Sequence, residues 1–259
     1  MSLIHQSAFQ ADKARAPVVG TVEHWPPASQ VEPHTHTRHQ LMYASRGVTH
    51  VMTEAGRWIL PPTRAIWIGA GVAHAFQAKH PVEATILYID GRARGTPPWQ
   101  GCKVVNVSAL VRALIASCAG LSWDYRPQSR EGRLAHVLLE QLEALPQAPL
   151  DLPEPLDPRA LRIAAWLKAH PADRTPLAVL ASRAGASVAT MERLFTAQTR
   201  MPFSAWRLRL RMIVALEQLA QGDAVGNVAC AAGYGSPSSF IAAFRAMFGT
   251  TPARYFDTP

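Results

Sequence analysis

Apolar positions change their period along the chain, and the changes outline its parts. Over roughly residues 17–90, short apolar runs such as Gln40-Leu-Met-Tyr-Ala, His50-Val-Met-Thr and Thr85-Ile-Leu-Tyr-Ile recur between Gly and Pro punctuation. Many short strands at that spacing predict a β-sandwich or barrel. Over 106–145 the period lengthens, with Leu110, Leu114 and Ile115, then Leu134, Val137, Leu138 and Leu142, at helical three-four spacing. Five prolines follow between Pro146 and Pro158. Such a segment cannot continue a helix and favours an extended, semi-rigid conformation. Beyond it the pattern is helical to the end. The reading is an α+β chain of several parts: a β-barrel over 1–105, connecting helices over 106–145, a Pro-rich linker over 146–158 and an all-α domain over 159–259.

The all-α part contains one pattern twice. In the first copy Thr175-Pro176 offers a cap and a first-turn proline, and Leu177, Leu180, Ala181 and Ala184 form an apolar stripe. Gly185 breaks the helix and Ser187 caps the next, whose inner face is Met191, Leu194 and Phe195. In the second copy Val225, Val228, Ala229 and Ala232 form the stripe, and Gly233 breaks it. Ser236-Pro237 then opens a helix with Phe240, Ala243, Phe244 and Met247 inward. Short helix, tight Gly turn and second helix make the helix-turn-helix unit. Each turn glycine supplies a positive φ. Between the copies an unbroken helix from about Ser204 to Gln221, roughly 25 Å long, can hold two recognition helices about one duplex turn, roughly 34 Å, apart. Trp206, Leu210 and Ile213 take one of its faces and Leu208, Met212, Ala215 and Leu219 another. Arg207 and Arg211 are expected on a third, solvent-facing strip, either touching phosphate or simply solvated.

Charge sharpens this picture. The chain has 259 residues and a net charge of +8. From 158 onward there are 12 Lys+Arg against 5 Asp+Glu, whereas the first 157 residues hold 14 against 13. A basic domain joined to a neutral one calls for a polyanion partner for the basic part alone. Apolar runs fall far short of the ~20 residues that span a bilayer. The first residues carry charge where a signal peptide needs an apolar stretch. A cytoplasmic protein with no membrane partner is expected. Cys102, Cys118 and Cys230 are scattered, so reduced and mostly buried thiols are expected rather than disulfides.

The segment Val228-Ala-Cys-Ala-Ala-Gly-Tyr-Gly-Ser-Pro-Ser-Ser-Phe-Ile-Ala-Ala-Phe-Arg-Ala-Met-Phe-Gly-Thr-Thr-Pro-Ala-Arg-Tyr resembles, from end to end, the signature of the AraC/XylS transcription regulators. That resemblance implies sequence-specific binding to promoter DNA, with RNA polymerase as a further partner if the protein activates. On the first recognition helix Ala189, Thr190, Glu192 and Arg193 are expected outward. Arg193 suits a bidentate contact to guanine, and Glu192 could accept from a cytosine amino group. Ser187 and Thr190, at a helix N-terminus, suit phosphate or base edges, or capping alone. The second helix turns Ser238, Ser239, Ala242 and Arg245 outward. That small surface is expected to discriminate less.

The neutral part has its own chemistry. Pro33-His34-Thr-His36-Thr-Arg-His39-Gln40 and Ile68-Gly-Ala-Gly71-Val-Ala-His74 resemble the two cupin motifs, whose histidines and carboxylate bind one metal. Alternation puts His34, His36 and Gln40 on one side of a strand and His39 on the other. The sequence departs from the pattern at Gln40, where Glu is usual, and at Gly69, where proline is usual. His34, His36 and His74, with Gln40 as a weak fourth ligand, would favour Ni, Zn, Cu or Fe as divalent ions. The same groups could instead line an effector pocket, with walls drawn from Met42, Tyr43, Trp58, Trp67, Phe76 and Tyr88. Two functions remain at this point: a one-component transcription regulator sensing a small molecule or metal, dimerising through 106–145; or a metal-dependent cupin enzyme, a dioxygenase or isomerase, with an accessory helical domain.

Overall fold

The computed structural model describes residues 9–54, 56–62, 64–146 and 151–256. Two compact units divide the chain near residue 150.

Among the described residues of the first unit, nine strands lie in two sheets. They are β1 (Val18–Trp25), β2 (Ser29–His34), β3 (His39–Arg46), β4 (Thr49–Thr53), β5 (Gly56–Leu60), β6 (Arg64–Ile68), β7 (His74–Ala78), β8 (Val82–Ile89) and β9 (Cys102–Asn106). One sheet runs β1-β8-β3-β6-β9 and the other β5-β4-β7-β2. The register places Leu41 between Leu87 and Trp67, and Gln40 between Tyr88 and Ile68. Every one of these residues is fully buried, so the first sheet is covered on both faces. That explains its near-continuous apolar runs, since a half-exposed sheet would alternate. One cover is helix α1 (Ala109–Ala119), which packs on β1 and β8. It comes so close that a Cβ on Gly20 would lie 3.0 Å from Ala119 Cα. Helix α2 (Arg130–Glu143) packs on α1, and Ser108 and Ser129 cap the two. Between the helices Tyr125 brackets the edge strand β1, accepting from Val18 N and donating to Val18 O at 2.7 Å.

Several sequence expectations change here. Strand β9 extends the sheet to Asn106, past a segment not read as strand. On α2 the buried stripe is Ala135, Leu138, Leu139 and Leu142, inside a single chain; Val137 is exposed, as is Leu110 on α1. Leu138 and Leu142 of the stripe read from the sequence are therefore satisfied within their own chain, and Val137 is not. Of the three free cysteines Cys118 is buried and Cys230 exposed.

The second unit is helical: α3 (Pro158–Ala169), α4 (Leu177–Arg183), α5 (Val188–Thr199), α6 (Phe203–Ala220), α7 (Val225–Ala231), α8 (Pro237–Phe248) and α9 (Pro252–Phe256). Each copy of the repeat has its own aromatic centre. Phe195 meets Phe203 and Trp206 at centroid distances of 5.1 and 5.4 Å. Phe244 meets Phe240, Phe248 and Tyr255 at 5.7, 4.5 and 5.4 Å. Gly185 and Gly233 have φ of 72° and 78°, as the turn requires. Ser187 and Ser236 accept from Thr190 N and Ser239 N as N-caps. Thr175 is not a cap: Pro176 holds that place, and the Thr175 amide bonds to Asp173. On α6, Leu208 is exposed rather than part of an apolar face.

Of the Pro-rich segment, residues 147–150 lie outside the described residues. Its later part is no free linker. Trp206 Nε1 donates to Pro153 O at 2.8 Å, the amides of Leu156 and Asp157 bond to Gln198 Oε1, and Lys168 pairs with Glu154.

Candidate DNA-binding surface and sensor site

On the helical unit, α5 leaves Val188, Ala189 and Arg193 exposed and Thr190 half-buried. Its burial of Met191 and Phe195 forces this, because residues on the opposite arc of a helix must face outward. On α8, Ser238, Ala242 and Arg245 line an open groove with Ile241, Ala246 and Thr251. Ser239 is exposed but locally engaged, its hydroxyl donating to Ser236 O at 2.8 Å.

Three expected contacts are placed differently. Glu192 is half-buried, and its carboxylate accepts from Phe203 N at 3.2 Å. Pro202, the N-cap of α6, has no side-chain acceptor, so Glu192 fills that role for the helix. Arg207 and Arg211 do not face solvent. Arg207 donates to Thr175 O at 2.7 Å and to Asp173 O, and its side chain is 13% exposed. Arg211 donates to Asp173 O at 2.7 Å and to Pro171 O at 3.2 Å. The backbone carbonyls of the loop between α3 and α4 draw both guanidinium groups inward, since polar groups there need partners. Periodicity could not reveal this, because the acceptors are main-chain atoms some 32–40 residues away.

In the β unit His34, His36 and His74 come together, their ligand atoms within 4.8 Å of one another. His34 and His74 face each other across β2 and β7 after a register shift. His36 lies just beyond β2, in the crossing that leads to β3, so strand alternation does not carry it or Gln40 to the site. The crossing is held instead by the N-terminal segment: Thr37 bonds to Asp12, and buried Arg38 donates to Ala14 O and Ala16 O. His39 turns aside and stacks on Trp67 at 4.7 Å. Of the expected pocket walls, Phe76 and Tyr88 lie against the histidines, at 5.3 Å from His74 and 5.5 Å from His36. Trp67 and Tyr43 share the opposite sheet face with Leu41.

The three rings are oriented alike. Nδ1 of His34, His36 and His74 lies 2.9, 2.6 and 2.8 Å from the carbonyl oxygens of Glu32, Arg38 and Val72. A carbonyl only accepts, so each neutral ring carries its hydrogen on Nδ1 and presents a lone pair at Nε2. Burial pushes His74 down to about 3, keeping it neutral. Gln40, fully buried, puts Oε1 2.7 Å from His36 Nε2 and 3.3 Å from His74 Nε2. Its Nε2 has no hydrogen-bond partner among the described residues. Acceptors that close repel unless something positive lies between them, either the amide's own hydrogens in the reversed orientation or a cation. The donor set fits a transition metal, and backbone-bonded Nδ1 atoms are the usual support of metal-bound histidines.

Comparison with known proteins decides the family. Residues 21–157 match the AraC-like ligand binding domain, and residues 180–258 match a helix-turn-helix domain. The chain is 32% identical over 222 residues to the HTH-type transcriptional regulator NimR of Escherichia coli K12, covering 86% of this chain and 81% of that protein. This chain belongs to the AraC family of transcriptional regulators. Its second relative here, the HTH-type transcriptional regulator RipA of Corynebacterium diphtheriae, is 38% identical over 107 residues, 41% of this chain and 31% of RipA. Fatty-acid-bound ToxT of Vibrio cholerae aligns over 94% of this chain and 96% of its own, at 9% identity and a TM-score of 0.39. An AraC-family regulator pairs a ligand-binding β-rich unit with a DNA-binding helix-turn-helix unit, and both units stand here as described. Among the described residues no helix is long and apolar enough to cross a membrane.

Proposed function

We propose that this AraC-family member is a cytoplasmic one-component regulator that binds promoter DNA through α5 and α8 and changes that binding when its β unit takes a ligand. The observation that supports the DNA role is the pair of exposed arcs on capped helices, each behind a glycine turn and each free of acidic side chains except the inward Glu192. Arg193 is its main base reader, Ser187, Ala189 and Thr190 lie beside it, and Ser238, Ser239 and Arg245 form the second contact. Arg207 and Arg211 are not assigned to phosphate. The protein is read as a regulator rather than an enzyme, since its relatives are regulators. Selection of bound sequences from a random DNA pool tests this. A single enriched bipartite motif is expected, and recovery of no motif would defeat the reading.

For the β unit the ligand we favour is one divalent transition metal, Ni, Zn, Cu or Fe, held by His34, His36 and His74 with Gln40 beside them. The convergence of neutral Nε2 lone pairs supports it. Calorimetry with each metal on tag-free protein should give one site per chain, absent in the double variant His34→Ala/His36→Ala. Equal, negligible heats from both proteins would leave the histidines as lining for an organic effector. A homodimer through the α1–α2 region, where Leu110 and Val137 remain exposed, is the assembly proposed. RNA polymerase is the further partner if the output is activation.

A further inference from the structure

Two helix-turn-helix units joined by one helix do not by themselves have a fixed separation. Helix α6 is a rod of 18 residues, about 27 Å long, but a rod fixes nothing at its joints. One joint is the turn between α6 and α7, where Gly222 has φ 88° and open space around it. That joint alone does not orient the second helix-turn-helix; packing on the buried face of α6, from Met212 to Leu219, holds it in part, and fixing its rotation takes something outside the joint.

The loop between α3 and α4, residues 170–176, is that something. It leads into the first helix-turn-helix, yet its carbonyls are gripped by α6 and one of its side chains reaches the second helix-turn-helix. Arg207 takes Thr175 O and Asp173 O, while Arg211, one helical turn on, takes Asp173 O and Pro171 O. Arg174 completes the link, donating from Nε to Gly233 O at 2.9 Å, in the turn of the second helix-turn-helix. The loop itself is stiffened by Asp173. Its carboxylate accepts from Trp166 Nε1 at 2.7 Å and Thr175 N at 2.5 Å and lies 3.6 Å from Arg207.

Packing repeats what the hydrogen bonds say. A Cβ on Gly233 would lie 2.9 Å from Ala172 O, 3.0 Å from Ala172 Cα and 3.1 Å from Arg211 Nη2. The turn of the second helix-turn-helix therefore seats directly on the loop that leads into the first. At the equivalent Gly185 a Cβ meets nothing within 4 Å. Planar guanidinium forks can bridge two carbonyls at fixed angles, whereas a lysine ammonium is a point charge. Two like charges one turn apart on α6 are tolerated because carbonyl dipoles and Asp173 surround them.

We infer that Arg174, Arg207 and Arg211 form a strut that sets the separation and rotation of the two DNA-reading helices, so that the protein accepts its two half-sites at one spacing. They are positioning residues, not base or phosphate contacts. This rests on the DNA-binding reading, and the partner is a duplex bearing two half-sites about one turn apart. Inserting one base pair moves a half-site by about 3.4 Å along the axis and rotates it by about a tenth of a turn.

The test uses the full chain and the motif selected from random DNA, rebuilt with one or two base pairs added or removed between its halves. Affinity is read by fluorescence anisotropy, beside that for the first half-site alone. Wild type should lose at least about tenfold for each base pair of change. In Arg211→Ala that discrimination should fall below about threefold, with half-site affinity unchanged. If Arg211→Ala fails to fold by circular dichroism, the comparison is made with Arg174→Ala, whose residue is exposed and whose Nε makes the link to Gly233 O. A variant that weakens equally at every spacing, or on the half-site as well, overturns the strut and makes the arginine an ordinary DNA contact or fold support. Wild type that binds the motif indifferently to spacing overturns it too. Wild type that selects no motif overturns the DNA-binding reading instead, which the spacing series tells apart.

Discussion

Gly185 and Gly233 hold the same place in the repeat, take nearly the same φ, and follow helices with the same small-residue stripe. Their surroundings differ completely: Gly185 looks onto open space and Gly233 onto the backbone of Ala172. The outer arcs differ in the opposite sense. The first copy carries Arg193 among small residues, while the second shows serines, an alanine and Arg245. Each arc carries one exposed arginine; on the DNA-binding reading the first copy is expected to discriminate bases more, while the second is more tightly seated within the helical unit. A sequence repeat thus guarantees a repeated local fold, because caps, turn glycines and stripes act within about ten residues. It does not guarantee equal duties, because those depend on what packs behind each copy.

Replacing the two glycines tests this difference most severely. Gly185→Ala imposes only the left-handed backbone on an L-residue, about 1 kcal/mol. Gly233→Ala imposes the same strain and also forces apart the Ala172 backbone, for about 3 kcal/mol or more. Urea unfolding of the full chain, followed through its helical transition, should show the second variant markedly weaker. Equal losses would mean that the close seat at Ala172 yields freely, and the two turns would be alike after all.

The next effect concerns reading. Arg193→Ala should lose roughly 1–3 kcal/mol on the selected motif and relax preference at one base pair. Arg245→Ala should lose less and relax little. The measurement is competition of each variant between the motif, its single-base variants and random DNA. A loss from Arg193→Ala that is equal on motif and random DNA would make it a phosphate contact and would erase the functional asymmetry.

What could be read from the sequence follows the same division between near and far. Both helix pairs, their glycines, Ser187 and Ser236 as caps and the inward aromatics were legible, since each follows from neighbours in the chain. The histidine cluster was legible as a set, and His34 and His74 do meet across two strands. Strand alternation does not account for His36 and Gln40. The chain leaves the strand after His34, and Asp12 and Arg38 hold the crossing that brings His36 in. Periodicity misplaces Arg207 and Arg211 for a related reason. Helical periodicity says which strip a residue lies on, but nothing about distant carbonyls that can cover that strip. Asp173 and Arg174 gave no local signal, because their meaning lies in what they bridge.

The smallest effect probes the stiffening of that bridge. Hydrogen bonds from Trp166 and from the Thr175 amide, with Arg207 nearby, hold the Asp173 carboxyl down at about 2, against an ordinary value of 3.8. The folded state therefore favours its charged form. Its contribution to stability is complete above about pH 3.8 and is lost as pH falls from there towards 2, where the folded form takes up the proton as well. Asp173→Asn should remove this part of the acid sensitivity and flatten the stability profile between pH 4 and 2. Asp157, also held at about 2 by its bonds to Arg159, continues to titrate in that window and leaves a residual slope. Unfolding midpoints of wild type and variant across that range measure the difference. Parallel curves would mean that Asp173 keeps its ordinary acidity, and that the loop owes its shape to the arginines alone.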